Sequence, residues 1–199
     1  MSKVAASRDA DGAVLRQGIK DNLATLGAAR LAAVNLRVID PSETPGRPFD
    51  AQLAALVQAR DDGLTGGAGL SNVSRRHLLR AAAQTEIACV QNLFSLADQR
   101  SGDVLAECAA RGIAFVPFCP LGWPGEQRRA LLADPVLTGQ ATRLGATPVQ
   151  VALAWLLDLS PAILLIPGTR TRAHLAENLA AADVRLDDAA RAELGRRFR

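Results

Sequence analysis

No tyrosine occurs among the 199 residues of this chain, so no side chain in it offers a phenolic proton. Patterned cysteine is absent too. The three cysteines, Cys89, Cys108 and Cys119, are odd in number and form no CxxC pair. That excludes a disulfide framework and a thiolate metal centre, and points to a reduced, cytoplasmic setting with no metal. No apolar run approaches the roughly 20 residues of a membrane span, and the opening stretch MSKVAASRDADG lacks the apolar core of a secretory signal. The net charge is only +3, without the dense basic stripe of a nucleic-acid binder. The cluster Arg191, Arg196, Arg197 and Arg199 reads as the solvated end of a helix, where cations suit the dipole. Also missing is an early GxGxxG, the mark of a doubly wound dinucleotide-binding sheet.

What is present is a hydrophobic fraction of 49%, enough to build the core of one domain over residues 1–199. Short apolar stretches alternate with amphipathic ones. Strands are expected at 3–7, 31–40, 67–71, 87–95, 113–118 and 162–168. Helices are expected at 12–27 (Val14, Leu15, Ile19, Leu23 and Leu26 on one face, closed by Gly27), 49–63 (Asp50 as N-cap), 75–84 (Ser74 as cap), 102–112, 147–160 (Thr147 as cap, Pro148 in the first turn) and 186–198. Residues 119–146 form a longer insertion with one or two short helices. Strand then helix, about six times over, predicts a parallel α/β fold. The polar residues cluster just after the strands, at Asn35 and Arg37, Ser71-Asn72, Gln91-Asn92 and Gly168-Thr169-Arg170. A (β/α) barrel gathers those ends on one face.

The stretch IPGTRTRAHLAEN, residues 166–178, runs from an apolar segment through Gly168, Thr169 and Arg170 into a helix with Leu175 and Leu179 on one face. Two hydroxyls and two guanidinium groups at a helix mouth exceed what a surface turn requires. Free N–H groups, the positive end of the helix dipole and arginine forks together suit a phosphate.

Five ordered motifs carry a resemblance: GLSNVS (69–74), CVQNLFSLADQR (89–100), GIAFVPFCPLG (112–122), TPVQVALAWLL (147–157) and IPGTRTRAHLAENLAAAD (166–183). They resemble, in order and spacing, the aldo-keto reductases, which are (β/α)8-barrel oxidoreductases using NADP(H). The resemblance implies an incomplete (β/α)8 TIM-type barrel of about six βα units, lacking the first two. It implies that Ser71 and Asn72 hold the nicotinamide carboxamide together with Gln91. Phe118 stands where the family usually stacks a tyrosine on the nicotinamide, and stacking needs a flat face rather than a hydroxyl. Gly168, Thr169, Arg170, His174, Glu177 and Asn178 match the loop that holds the 2′-phosphate and adenine. Taken singly these residues have plainer readings: Ser71-Asn72 as a helix-entry turn, Gln91 as a core amide, Phe118 as a core aromatic, His174 as a solvated helix residue. Their order is what points to the family.

The family's catalytic set is an Asp, a Tyr, a Lys and usually a His, of which the Tyr protonates the carbonyl oxygen. Lys3 matches the family lysine and Arg37 the histidine position; nothing matches the Asp or the Tyr. The resemblance therefore implies a small carbonyl substrate and hydride transfer, with weak or no turnover by this chain alone. The alternative is a non-catalytic interaction or regulatory subunit that uses open sheet edges, at the 3–7 and 162–168 strands, to form a homo-oligomer or meet a partner. Phe94, Trp123 and the 119–146 insertion are candidates for substrate contact.

Overall fold

A computed structural model describes the backbone of residues 2–5 and 12–198, with side chains from Gly12 onward. The chain forms two compact units, residues 1–92 with 103–115 and residues 93–102 with 116–199.

The first unit holds a parallel sheet of five strands in sequential order: β1 (Ser2–Ala5), β2 (Val34–Arg37), β3 (Ala68–Ser71), β4 (Cys89–Gln91) and β5 (Ala114–Phe115). Each strand is followed by helical chain: α1 (Gly12–Leu26), α2 (Arg47–Asp61), α3 (Arg75–Ala82) and α4 (Gly102–Arg111) come between successive strands. Parallel neighbours require such crossovers. The strands are shorter than their apolar runs because a ladder lasts only as long as both neighbours stay in register. The expected strand end at residues 6 and 7 lies outside the described residues.

Register sorts the side chains into two faces. Val34, Ala68 and, one pleat on, Leu36, Leu70, Val90 and Phe115 share one face. Val34, Leu36, Leu70, Val90 and Phe115 are all fully buried. Asn35, Arg37, Gly69, Ser71, Cys89 and Gln91 share the other. Apolar packing thus holds the sheet on one side and leaves polar chemistry to the other.

Helix α1 ends at Gly27, whose φ of 60° suits glycine. It buries Leu15, Ile19 and Leu23, but Val14 and Leu26 are exposed, so its apolar stripe is narrower than the sequence suggests. Helix α2 starts earlier than expected, with Gly46 as N-cap and Pro48 in the first turn. Asp50 is not the cap. It sits one turn in and accepts a forked pair of hydrogen bonds from Arg80 on α3 and one from Gln84. That pairing holds its carboxyl below the usual range. Ser74 does stand at the N-cap of α3, but its hydroxyl makes no capping bond; it meets Nδ1 of His77 at 2.8 Å.

The second unit holds α5 (Glu126–Leu132), α6 (Pro135–Arg143), α7 (Pro148–Leu159), α8 (Arg172–Ala180), a 3-10 turn at 181–183 and α9 (Asp188–Arg197). Helix α7 is its centre. Residues 151–156 are buried all round, and Thr147 with Gln150 closes a reciprocal capping box at its start. Asp134 caps α6 through the N–H groups of Val136 and Leu137. The same carboxylate takes Arg197 of α9 at 2.7 Å, so the arginine cluster is partly used to tie the last helix down; Arg199 lies outside the described residues.

Residues 164–168 form no strand. Leu164 and Ile166 are 52% and 45% exposed. An apolar run becomes a strand only where a neighbour takes its backbone N–H and C=O groups, and among the described residues no ladder reaches this segment. No helix of the described residues is long and apolar enough to cross a membrane.

Candidate functional site

The polar side chains of the first unit gather at the ends of β2, β3 and β4. Asn35 and Ser71 are completely buried and Gln91 nearly so. Asn35 Nδ2 donates to Gln91 Oε1 at 3.1 Å, and the Cys89 thiol donates to Asn35 Oδ1 at 3.2 Å. These bonds cross β3, which separates β2 from β4. Gly69 makes the crossing possible: a Cβ added there would overlap Asn35 Oδ1 and stand 2.8 Å from Cys89 Sγ.

Ser71 Oγ has no hydrogen-bond partner among the described residues, though it is shut away from solvent. A buried hydroxyl in that state costs free energy unless something binds it. Asn72 follows in a left-handed conformation, φ 54°. Its N–H donates to Gln91 O at 3.0 Å, and its Nδ2 donates to Val38 O and Ile39 O. Asn72 therefore ties the β2 loop to the end of β3. Asn92, noted in the sequence only as a polar neighbour, is a further brace: it accepts from Val73 N and donates to Val73 O. Arg37 is exposed at the end of β2. Lys3 pairs with Asn35 in the ladder; its side chain lies outside the described residues.

His77, to which the sequence assigned no role, is buried against Phe49 with ring centroids 5.1 Å apart. Burial, and then Arg76, holds its pKa below the ordinary histidine value.

In the second unit, Phe118, Cys119, Leu121, Gly122, Arg128, Ile166, Pro167 and Gly168 line a cavity of about 290 Å³. The cavity has an aromatic ring, a guanidinium and turn backbone together. Phe118 meets Trp123 edge-on at 6.1 Å. Cys119 takes φ 51°, which turns the chain sharply after the ring. Trp123 also borders a second cavity of about 470 Å³ with Leu131, Asp134 and Arg197. Phe94 lies elsewhere: it is buried and stacked on Trp155 at 6.4 Å, so it serves the core.

The residues entering α8 behave unevenly. Thr171 is the N-cap and accepts from His174 N at 3.2 Å; Thr169 Oγ1 braces the turn at both atoms of Thr171. Arg170, Arg172 and His174 are exposed around this free helix start. Gly168 has open space about it. Glu177 is engaged elsewhere, accepting from Thr147 Oγ1 at 2.7 Å while its carbonyl accepts from Gln150. Asn178 is half-buried on the last turn. Helix α8 buries no residue completely, and Leu175 and Leu179 are 48% and 68% exposed. Among the described residues no group of three or more His, Cys, Asp or Glu is placed to hold a metal ion.

The aldo/keto reductase family model matches residues 2–195. The chain belongs to that family. It is 42% identical over 178 residues to pyridoxine 4-dehydrogenase of Escherichia coli (strain K12), covering 88% of this chain and 60% of that protein. It is 34% identical over 182 residues to an uncharacterized oxidoreductase of Schizosaccharomyces pombe, covering 90% of this chain and 56% of that one. The chain thus spans less than two thirds of the length of either relative. Among solved structures, an aldo-keto reductase from Klebsiella pneumoniae in complex with NADPH superposes with a TM-score of 0.85 at 25% identity, over 98% of this chain and 68% of that one. A thermostable aldo-keto reductase in complex with the inhibitor epalrestat gives 0.83 at 27%, over 96% and 68%. Against these aldo-keto reductases the fold is an incomplete (β/α) barrel of TIM type, with its polar strand ends where such barrels carry their sites.

Gly69 is the residue that sequence reasoning passed over, and Asn35 stood there only as a polar residue near a strand end, with no role toward Gln91. Both placements were findable: in a parallel sheet, residues two before Arg37 and two before Ser71 point the same way as those residues.

Proposed function

We propose that this chain binds NADP(H) and, in its family's manner, serves hydride transfer between a carbonyl and an alcohol. The observation that carries the reading is the buried hydroxyl of Ser71, unpartnered among the described residues, beside the anchored amide of Gln91. A hydroxyl and an amide donor fixed at neighbouring strand ends suit a carboxamide, which both donates and accepts. The residues of the first unit that would hold this group are Ser71, Asn72 and Gln91. In the second unit Phe118 offers the aromatic face, and Thr169, Arg170 and His174 at the start of α8 offer donors and charge for a phosphate; Gly168, Glu177 and Asn178 complete the loop by family resemblance. Glu177 would act by holding α8 to α7.

When bound, the reduced nicotinamide supplies the hydride. The chain's own contribution is to bind, orient and exclude water. Arg37 would face developing negative charge on the substrate oxygen, and Lys3 matches the family lysine. Arg37 does not replace the phenol, because a guanidinium is a poor proton donor near neutral pH. We therefore read the 199-residue chain as a binder of the cofactor with weak turnover by itself, in a cytoplasmic setting.

Titration with NADPH, followed by tryptophan fluorescence and calorimetry, tests the reading. Saturable binding, displaced by 2′,5′-ADP, is the expected result; no binding at millimolar cofactor rejects it. Ser71→Ala separates the role of the hydroxyl. It is expected to stabilise the ligand-free chain by about 1 kcal/mol, because an unmet polar group is removed, while weakening NADPH about fivefold. A hydroxyl that served only the fold would show the reverse sign in the first measurement.

A second reading has its own observation. Leu164, Ile166, Leu175 and Leu179 are exposed in the second unit, and such apolar surface suits a second copy of the chain in a non-catalytic assembly. Light scattering on a sizing column decides it: a dimer that dissociates in Leu175→Glu favours this reading, and a clean monomer removes it.

A further inference from the structure

The geometry points to Asn35 as a positioning residue that fixes which end of the Gln91 amide is presented for binding, through a relay that begins at the Cys89 thiol and passes over Gly69. The inference rests on the reading above, in which Gln91 meets the cofactor's carboxamide.

An amide side chain has a donor end and an acceptor end, and a half-turn exchanges them. A glutamine that must offer its N–H₂ therefore needs something to hold its oxygen. Here the bonds among the described residues fit one arrangement. Burial keeps the Cys89 thiol protonated by raising its pKa, so Cys89 donates. Asn35 must turn its oxygen toward that thiol, 3.2 Å away. Its Nδ2 then faces Gln91 and takes the glutamine oxygen at 3.1 Å. Gln91 Nε2 is left pointing away from the relay, with no acceptor among the described residues. The donor end is thus available beside the Ser71 hydroxyl, whose residue is its ladder partner.

Two further features argue for design rather than incidental core filling. The contact spans 56 positions in sequence and crosses an intervening strand. It also depends on a glycine in β3, although glycine is unfavourable within a strand, and any larger residue there would collide with the asparagine oxygen.

A double-mutant cycle tests the inference. NADPH and 2′,5′-ADP affinities are measured by calorimetry for the wild-type chain, Asn35→Ala, Gln91→Ala and the double variant, each checked for native circular dichroism. Asn35→Ala is expected to weaken NADPH about fivefold and to leave 2′,5′-ADP, which has no nicotinamide, unchanged. The double variant is expected to bind NADPH no more weakly than Gln91→Ala, because Asn35 acts only through Gln91. Losses that multiply, or a matching loss for 2′,5′-ADP, overturn the inference and leave the cofactor reading standing. A wild-type chain that binds neither ligand overturns both. Should Asn35→Ala not fold, the near-isosteric Asn35→Leu carries the same test, since it keeps the volume and removes the donor to Gln91 Oε1; no loss for NADPH there counts against the inference.

Discussion

Loaded with NADPH, the 199-residue chain is expected to reduce a simple aldehyde about 10²- to 10⁴-fold more slowly than an aldo-keto reductase that carries the phenol. That range is the usual contribution of a positioned general acid. The chain has no tyrosine, and the titratable groups among the described residues supply no ready substitute. Its two histidines are poorly suited. His77 is buried against Phe49, with Nδ1 taken by Ser74, and burial favours its neutral form, which is a weak acid. His174 is exposed on the first turn of α8, where water competes for any bond it makes. Arg37, exposed at the end of β2, offers a guanidinium, which is a poor proton donor. The measurement is the loss of reduced-nicotinamide absorbance with aldehyde in excess. A small weak acid added at millimolar concentration should raise the residual rate, because it supplies the proton the side chains do not. A rate within about tenfold of a phenol-bearing enzyme, which is about 1.4 kcal/mol in barrier, would show that another group does the work.

Phe115→Ala is expected to lower stability by about 3–5 kcal/mol, the usual cost of emptying a fully buried aromatic site. Phe115 is 0% exposed and lies opposite Val90 in the ladder, on the apolar face of the sheet. Deleting its ring removes contacts that adjoining side chains cannot easily refill. In urea the unfolding midpoint should fall by about 2 M, given a slope of roughly 2 kcal/mol per molar. Phe118→Ala is the control. Its ring is only half-buried and borders a cavity, so it should cost far less. Equal losses for the two would mean that the register does not place Phe115 in the core.

The contrast between these phenylalanines also shows what the sequence discloses. Both sit in the single apolar run 113–118, and nothing local separates them. Only the ladder, which ends at Phe115, decides that one is core and the other borders a cavity. Signals that act over one turn of chain were legible: Thr147 and Pro148 announced the start of α7, and Gly27 and Gly112 ended α1 and α4 where expected. Signals that need a partner were not. Asp50 looked like a cap because carboxylates cap helices, yet Arg80, 30 positions away, took it. The 162–168 run looked like a strand by composition, and strand character requires a neighbour it does not find among the described residues. At the site, Ser71 and Gln91 were visible as polar residues after apolar strands. The bond that orients Gln91 was not, since Asn35 is 56 positions away and only sheet order joins them.

The thiols differ enough to be told apart by reagent. Cys108 is buried, and burial with the neighbouring Glu107 charge pushes it up to about 12; Cys89 is buried and raised as well. Cys119 alone is partly open to solvent, at the rim of the Phe118 cavity. A maleimide dye would therefore attach there first, giving a single-site optical reporter beside the ring with no cysteine added or removed by engineering.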